Sequence, residues 1–280
     1  MKKIVNFTTR HLVLTILAVI WLVPIVWLLC TSFSAYPGIN ISKFFPDQWT
    51  FNNYSTLLLH PDSVAQFPVW FMNTLVVAIA NCVISTFFVL FVAYATSCMR
   101  FKARKPLMNI GIVLGMFPGV LSMIAVYFVL KTIGLTNSHF GLIIVYAAPA
   151  GLGYLIVKGF FDTISESLRE AAKLEGASEA VIFWKIVLPL SKPIIVYQVI
   201  NSFLVPWMDF VYAKLILNSG ISSDWTVAIG LYGMLNKTLI NSYFSRFCAG
   251  GVLVSIPISV LFVIMQRFYV EGITGGATKG

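Results

Sequence analysis

Apolar residues gather in six long runs separated by shorter polar connections. They cover roughly Leu12–Phe33, Trp70–Met99, Leu107–Leu130, Phe140–Phe160, Ile194–Leu217 and Phe247–Met265. A helix crossing a bilayer needs about 20 mostly apolar residues, so each run predicts one spanning helix. The second is long enough to tilt or to project beyond the bilayer. The first follows Lys2, Lys3 and Arg10 and so has the outline of a signal peptide. Its apolar stretch is longer than a usual signal core, no A-x-A cleavage site follows, and more spans come after it. It predicts a retained span. The expected fold is all-α, a polytopic membrane protein with six transmembrane helices.

Composition supports that pattern. Of 280 residues, 59% are hydrophobic and 10% are charged, and the mean hydropathy is +0.89. A soluble domain carries about 25% charged residues, so lipid must be a large part of this chain's solvent. The net charge of +9 does not imply nucleic acid, because the basic residues form no patch interleaved with aromatics. They recur between apolar runs, which fixes orientation in a membrane. Lys2, Lys3 and Arg10, then Arg100, Lys102, Arg104 and Lys105, then Lys158, Arg169, Lys173, Lys185 and Lys192, and finally Arg267 and Lys279 fall on one side. Only Lys43, Lys131, Lys214, Lys237 and Arg246 remain for the other. The positive-inside rule then places both termini in the cytoplasm.

Two connections on the outer side are long. Residues 34–69 contain Pro37, Gly38, Pro46, Pro61 and Pro68 and read as an irregular excursion, not a separate domain. Residues 218–246 pass through Ser222, Ser223, Asp224 and Trp225 to an apolar stretch around Tyr232 and Leu235, which suits an interfacial helix. The chain divides into 1–69, the first span with its outer loop, and a core at 70–280. Cys30, Cys82, Cys98 and Cys248 lie in or beside apolar runs without C-x-x-C spacing, and read as small buried hydrophobes. His11, His60 and His139 are scattered, and none stands beside a plausible nucleophile or metal cluster. An enzyme is not indicated.

One connection concentrates charge. Of the ten acidic residues, Asp162, Glu166, Glu170, Glu175 and Glu179 fall between the fourth and fifth runs. Thr163-x-x-Glu166 has the form of a capping box, and a helical pattern follows through Ile164, Leu168 and Ala171 or Ala172. Glu166 with Arg169, and Glu170 with Lys173, stand three apart and suit ion pairs. Gly176 fits a helix C-cap. Ser178 suits the cap of a second helix through Val181 and Val187, which Pro189 helps to end. Two short helices joined at a glycine bend are expected.

Glu170-Ala171-Ala172, Gly176 and the Ile186-Val187-Leu188-Pro189 ending resemble the EAA loop of ATP-binding-cassette importer permeases. Trp70-Phe71-x-Asn73-Thr74-Leu75 is similar to the start of the core in carbohydrate importer permeases. Met116-Phe117-Pro118-Gly119-Val120-Leu121-Ser122 and the ending from Gln266 through Gly272, Gly275, Gly276, Lys279 and Gly280 resemble the smaller permease of the maltose and maltodextrin type. The likeness covers about residues 70–280 and implies a type I importer permease fold. It implies that 162–192 is the element that docks on an ATPase subunit, through Glu170, Ala171, Ala172, Gly176 and Pro189. It also implies that the tail at 267–280, with Gly275, Gly276, Lys279 and Gly280, reaches between two ATPase subunits.

The partners so implied are a second permease, two ATPase subunits carrying ATP and magnesium, an extracellular solute-binding protein and an oligosaccharide of the maltodextrin type. The setting is a bacterial plasma membrane, with no nucleic acid. No cofactor is expected on this chain, since no G-x-x-x-x-G-K-[ST] phosphate loop is present.

Asp209 is the only acid well inside an apolar run, and a charge there should face the bundle or water. Pro206 is expected to break the helix one turn earlier, and Lys214 stands on a different helical face. Asp209, Trp207, Tyr197 and Tyr127 are candidates for a translocation path, since aromatic faces and polar groups suit sugars. Tyr146, Tyr154 and Tyr212 are further aromatics of this kind. Pro118, Gly119, Pro149, Gly151 and Gly153 mark irregular or closely packed helix segments. Two alternatives stand beside this reading: an ion-gradient-driven secondary transporter, for which no inverted repeat is evident, and an importer for another oligosaccharide.

Overall fold

The computed structural model describes residues 2–39 and 43–277, with side chains described over 9–39, 43–119, 121–149 and 153–266. The described elements are helical, apart from an isolated antiparallel bridge between Ser34 and Trp49. In chain order they begin with α1 (Lys2–Ser32), α2 (Asn52–Leu59), α3 (Phe67–Cys98), α4 (Arg104–Gly115), α5 (Gly119–Thr132), α6 (His139–Ala147) and α7 (Ala150–Phe161). Then come α8 (Glu166–Leu174), α9 (Glu179–Ile182), a π-helical turn at Phe183–Val187, α10 (Leu188–Leu190), α11 (Lys192–Met208), α12 (Val211–Ile216), α13 (Val227–Met234) and α14 (Ile240–Ala277).

Three of the expected spans are single helices of membrane-crossing length and hydropathy: Thr9–Ser32, Phe67–Cys98 and Ile240–Gln266. The other three apolar runs are each divided. Pro118 and Pro149 lack the N–H that would continue a helix, and they separate α4 from α5 and α6 from α7. The fifth run breaks at Asp209, whose backbone is extended (ψ 123°), so the break falls three residues after Pro206 rather than at it. Pro206 stays inside α11, buried. The 34–69 connection is also more ordered than its prolines suggest, since it contains α2.

The chain forms two units, one of Met1–Val69 with Gly230–Ile256 and one of Trp70–Ile229 with Pro257–Gly280. In the first, Asn53 is buried and donates to the carbonyls of Ser32 and Ser34 (2.9 and 2.8 Å), tying α2 to the end of α1. Phe33 packs on Phe51 and Tyr54 at 5.2 and 5.0 Å between ring centroids. Asp62 accepts from the amides of Val64 and Ala65, the Tyr243 hydroxyl and Arg246, which anchors the loop before α3 to α14. Leu12, Ile16, Val19 and Ile20 of α1 are exposed. That apolar flank needs lipid or another membrane helix as its solvent.

Among the described residues of the second unit, two apolar cores stand out. One gathers Val89, Leu90, Ala93 and Tyr94 of α3 with Tyr154, Val157 and Phe161 of α7 and Ile182, Phe183 and Val187. The other gathers Val77 of α3 with Leu130, Leu142, Val145 and Tyr146, and with Ala213, Ile216 and Leu217 of α12. Between them, buried Asn81 donates to the Ser202 carbonyl (2.7 Å) and accepts from Ser85 (2.7 Å). Such polar contacts join helices where the hydrophobic effect cannot. The Trp70-Phe71-x-Asn73-Thr74 stretch straps residues 222–227 to α3. Trp70 Nε1 donates to the Ser222 carbonyl and Asn73 to those of Ser223 and Trp225, while the Val227 amide donates to Thr74 Oγ1 (2.8 Å).

Candidate functional site

The acid-rich connection folds as two short helices at a glycine bend. Gly176 has φ +83°, and a Cβ there would meet nothing within 4 Å. Glycine is therefore required by the backbone conformation and not by crowding. The Gly176 amide donates to the Lys173 carbonyl and the Ala177 amide to that of Ala172, which closes α8. Ser178 then caps α9 by accepting from the Val181 amide (3.4 Å).

Several local expectations are corrected. The Thr163–Glu166 capping box does not form: Thr163 donates to the Phe160 carbonyl, and Ser165 precedes α8 without a side-chain cap. Glu166 pairs with Arg100 (2.9 Å) instead of Arg169, and Lys173 pairs with Glu179 (2.6 Å) instead of Glu170. Tertiary partners outcompete neighbours three positions away because pairs within one exposed helix are worth only a few tenths of a kcal/mol. Pro189 stands one residue before its helix ends at Leu190. It sits inside α10, and the chain turns by 85° only at Ser191, between Glu179–Leu190 and Lys192–Met208.

The segment is fastened on one side and open on the other. The Tyr94 hydroxyl donates to Glu179 (2.6 Å), the Ser97 hydroxyl to Asp162 (2.6 Å), and Arg100 to Glu166. Lys173 and Tyr94 hold the Glu179 carboxyl below its ordinary value, and burial only partly opposes them. A cavity of about 390 Å³ lies here, lined by Cys98, Met99, Arg100, Glu166, Arg169, Glu170, Lys173 and Glu179. Of the expected docking residues, Ala172 packs against the α3–α7 core, while Glu170, Ala171 and Gly176 are exposed. Leu174 is 89% exposed, an apolar side chain with no cover in this chain. Glu170 and Glu175 make no ion pair among the described residues.

Tyr94 and Ser97 were not singled out from the sequence, and Arg100 only as a charge that sets orientation. Their signal is a polar residue at every third position where a long apolar helix ends.

The four expected path residues do not form one cluster. Trp207 is buried against Phe71 and Phe203, and Asp209 follows it at the end of α11. Tyr197 lies ten residues before Trp207 on α11, about 15 Å along the axis. The Tyr127 hydroxyl accepts from Asn218 (3.2 Å). Asp209 accepts from Tyr146 and from the Tyr212 and Ala213 amides, while Lys214 lies over the Trp225 ring. In the tail, Gly275 and Gly276 belong to the last turns of α14, and Lys279 and Gly280 lie outside the described residues.

Residues 89–274 match the family described as binding-protein-dependent transport system inner membrane component. The chain belongs to this family. It is therefore a multi-pass membrane component of a transport system and not a catalytic enzyme. The matched region contains the whole α8–Gly176–α9 element.

Full-length relatives agree. The galactooligosaccharides transport system permease protein GanQ of Bacillus subtilis is 34% identical, over 100% of this chain and 98% of that protein. The maltodextrin transport system permease protein MalD of Streptococcus pneumoniae is 31% identical, over 100% of this chain and 98% of its own length. Among solved structures, a chain of a bacterial ABC transporter involved in the import of the acidic polysaccharide alginate superposes with a TM-score of 0.75. That match has 25% identity and covers 95% of this chain and 96% of the other. Membership of this family sets aside the ion-gradient-driven alternative.

Proposed function

We propose that this permease belongs to an ATP-binding-cassette importer for oligosaccharides, with maltodextrins as the first substrate class and galactooligosaccharides as the second. The observation that carries the reading is the exposed α8–Gly176–α9 element, which leaves Glu170, Ala171, Leu174 and Glu175 open for a partner. The names of the full-length relatives support the substrate class. On this reading the apolar runs make six crossings with both termini in the cytoplasm. The outward face of the element docks on an ATPase subunit.

The complex comprises this chain, a second permease, two ATPase subunits that bind ATP and magnesium, and an external binding protein that delivers sugar. Closure of the ATPase pair pulls on the coupling element of each permease and turns the pair outward; release of the nucleotide products turns it back. The C-terminal tail extends toward the ATPase pair.

The test is purification of the tagged chain from its native membrane in mild detergent, followed by reconstitution and uptake of labelled sugars. Recovery of a second permease and a Walker-motif ATPase, with uptake of maltodextrins outcompeting galactooligosaccharides, is the expected result. Isolation of the chain alone, without an ATPase, refutes the importer. The reverse sugar preference moves the substrate to galactooligosaccharides.

A further inference from the structure

The inward side of the coupling element points to residues that act on transport without facing the ATPase. Tyr94, Ser97 and Arg100 recur every three positions, so they project from one side of α3 and the chain just past its end. Each holds a different acid of the connection: Glu179 at 2.6 Å, Asp162 at 2.6 Å and Glu166 at 2.9 Å. The acids lie before α8, at its first residue and at the first residue of α9. Lys173 in the last turn of α8 closes the set on Glu179. The bend between the two helices is Gly176, where a Cβ would meet nothing within 4 Å, so no side-chain packing at that position braces the bend.

We propose that Tyr94, Ser97 and Arg100 are positioning residues for coupling. Tyr94 fastens α9 and Arg100 fastens α8 to the end of α3, so that a pull on the element moves α3 instead of being absorbed at Gly176. Ser97 fastens the end of α7 at Asp162, which Lys158 also holds at 2.6 Å. This rests on the importer reading above. The three rungs are unequal. Tyr94 is 6% exposed in the α3–α7 core, and its bond to Glu179 is half-buried. The Arg100–Glu166 pair is 82% and 56% exposed and therefore weak, as open ion pairs are. Tyr94 is thus the principal rung and Arg100 the least.

The experiment measures ATP hydrolysed per sugar imported by the whole complex in proteoliposomes, with binding protein and maltodextrin supplied. Tyr94→Phe removes one oxygen and is expected to raise that ratio about fivefold or more, with normal assembly. Arg100→Gln is expected to change it less than twofold. A merely structural role would lower the amount of assembled complex and leave the ratio unchanged.

A second measurement covers variants that assemble poorly. The four native cysteines are free; with these replaced, Arg100→Cys and Glu166→Cys are joined by a bis-methanethiosulfonate of matching span. Fastened permanently, the complex should keep transporting. A wild-type ratio in Tyr94→Phe, or an assembled complex stopped by the crosslink, overturns the proposal. If instead the wild-type complex shows no sugar-stimulated hydrolysis, the importer reading has failed and not this one.

Discussion

The Tyr146 hydroxyl donates to Asp209 Oδ2 across 2.7 Å, linking α6 to the break between α11 and α12. The same carboxylate accepts the amides of Tyr212 (3.3 Å) and Ala213 (2.9 Å), which are orphan donors in the first turn of α12. A carboxylate among apolar helices is thereby supplied with three donors. Asp209→Ala should cost about 1–2 kcal/mol through loss of the cap, seen as a lower unfolding midpoint in detergent. Asp209→Asn keeps an acceptor oxygen and should retain assembly and uptake within about twofold. A large loss of uptake by an assembled Asp209→Asn complex would instead put the charge itself on the sugar path.

Gly176 makes a different kind of prediction, because its strain is purely backbone. At φ +83° a side chain costs roughly 1–2 kcal/mol, except that Asn and Asp tolerate this region better. Stability should therefore fall in the order Asn, Ala, Val. A Cβ at position 176 meets nothing within 4 Å and Asp tolerates this backbone region, so the main harm done by Gly176→Asp should arise at the partner. We expect the Asp variant to fold and assemble yet hydrolyse ATP without importing sugar. Normal ATP-driven uptake by that variant would remove Gly176 from the docking surface.

Much of this architecture was legible in the sequence for reasons of length and polarity. Residues 12–33, 70–99 and 247–265 are uninterrupted by proline at a sensitive point or tolerate it, and each falls in one helix to within a single end residue. The α8–Gly176–α9 bend was also legible, since glycine and Ser178 carry local signals that need no tertiary context. The break at Asp209 was misplaced because a proline weakens a helix without saying which later residue leaves it. The pairing of Glu166 and Lys173 was misread for a related reason. Spacing along one helix cannot show that Arg100 and Glu179 arrive from elsewhere in the chain.

Close packing of backbone gives a third prediction. Gly141 is buried near the start of α6, and a Cβ added to it would run into the Leu135 carbonyl. Backbone cannot yield as a flexible side chain does, so Gly141→Ala should destabilise by about 1–3 kcal/mol. Gly153 in α7 provides the control, with open space around the same position. Gly153→Ala should be neutral or stabilise slightly, since alanine is the better helix former. Equal melting shifts for the two variants would count against the close approach at Gly141.

The Asp62 cluster predicts how stability depends on pH. Burial pushes the Asp62 carboxyl up, but the Ala65 amide, the Tyr243 hydroxyl, the Val64 amide and the Arg246 charge together outweigh it and hold the group below its ordinary 3.8. The folded protein thus binds this proton less readily than the unfolded chain does. The stabilisation is therefore fully present above pH 3.8 and is lost as pH falls through the lowered folded value. The Asp62 and Arg246 side chains are 36% and 25% exposed, so solvent screening limits the contribution to about 1 kcal/mol. At pH 7, Asp62→Asn should melt below the wild type, because it no longer carries the charge that Arg246 faces. As the pH is taken down toward 3, the wild type should lose stability faster than the variant and the gap should close. A gap that stays constant over that range would mean that the charge on Asp62 contributes nothing, and that its hydrogen bonds alone anchor the loop to α14.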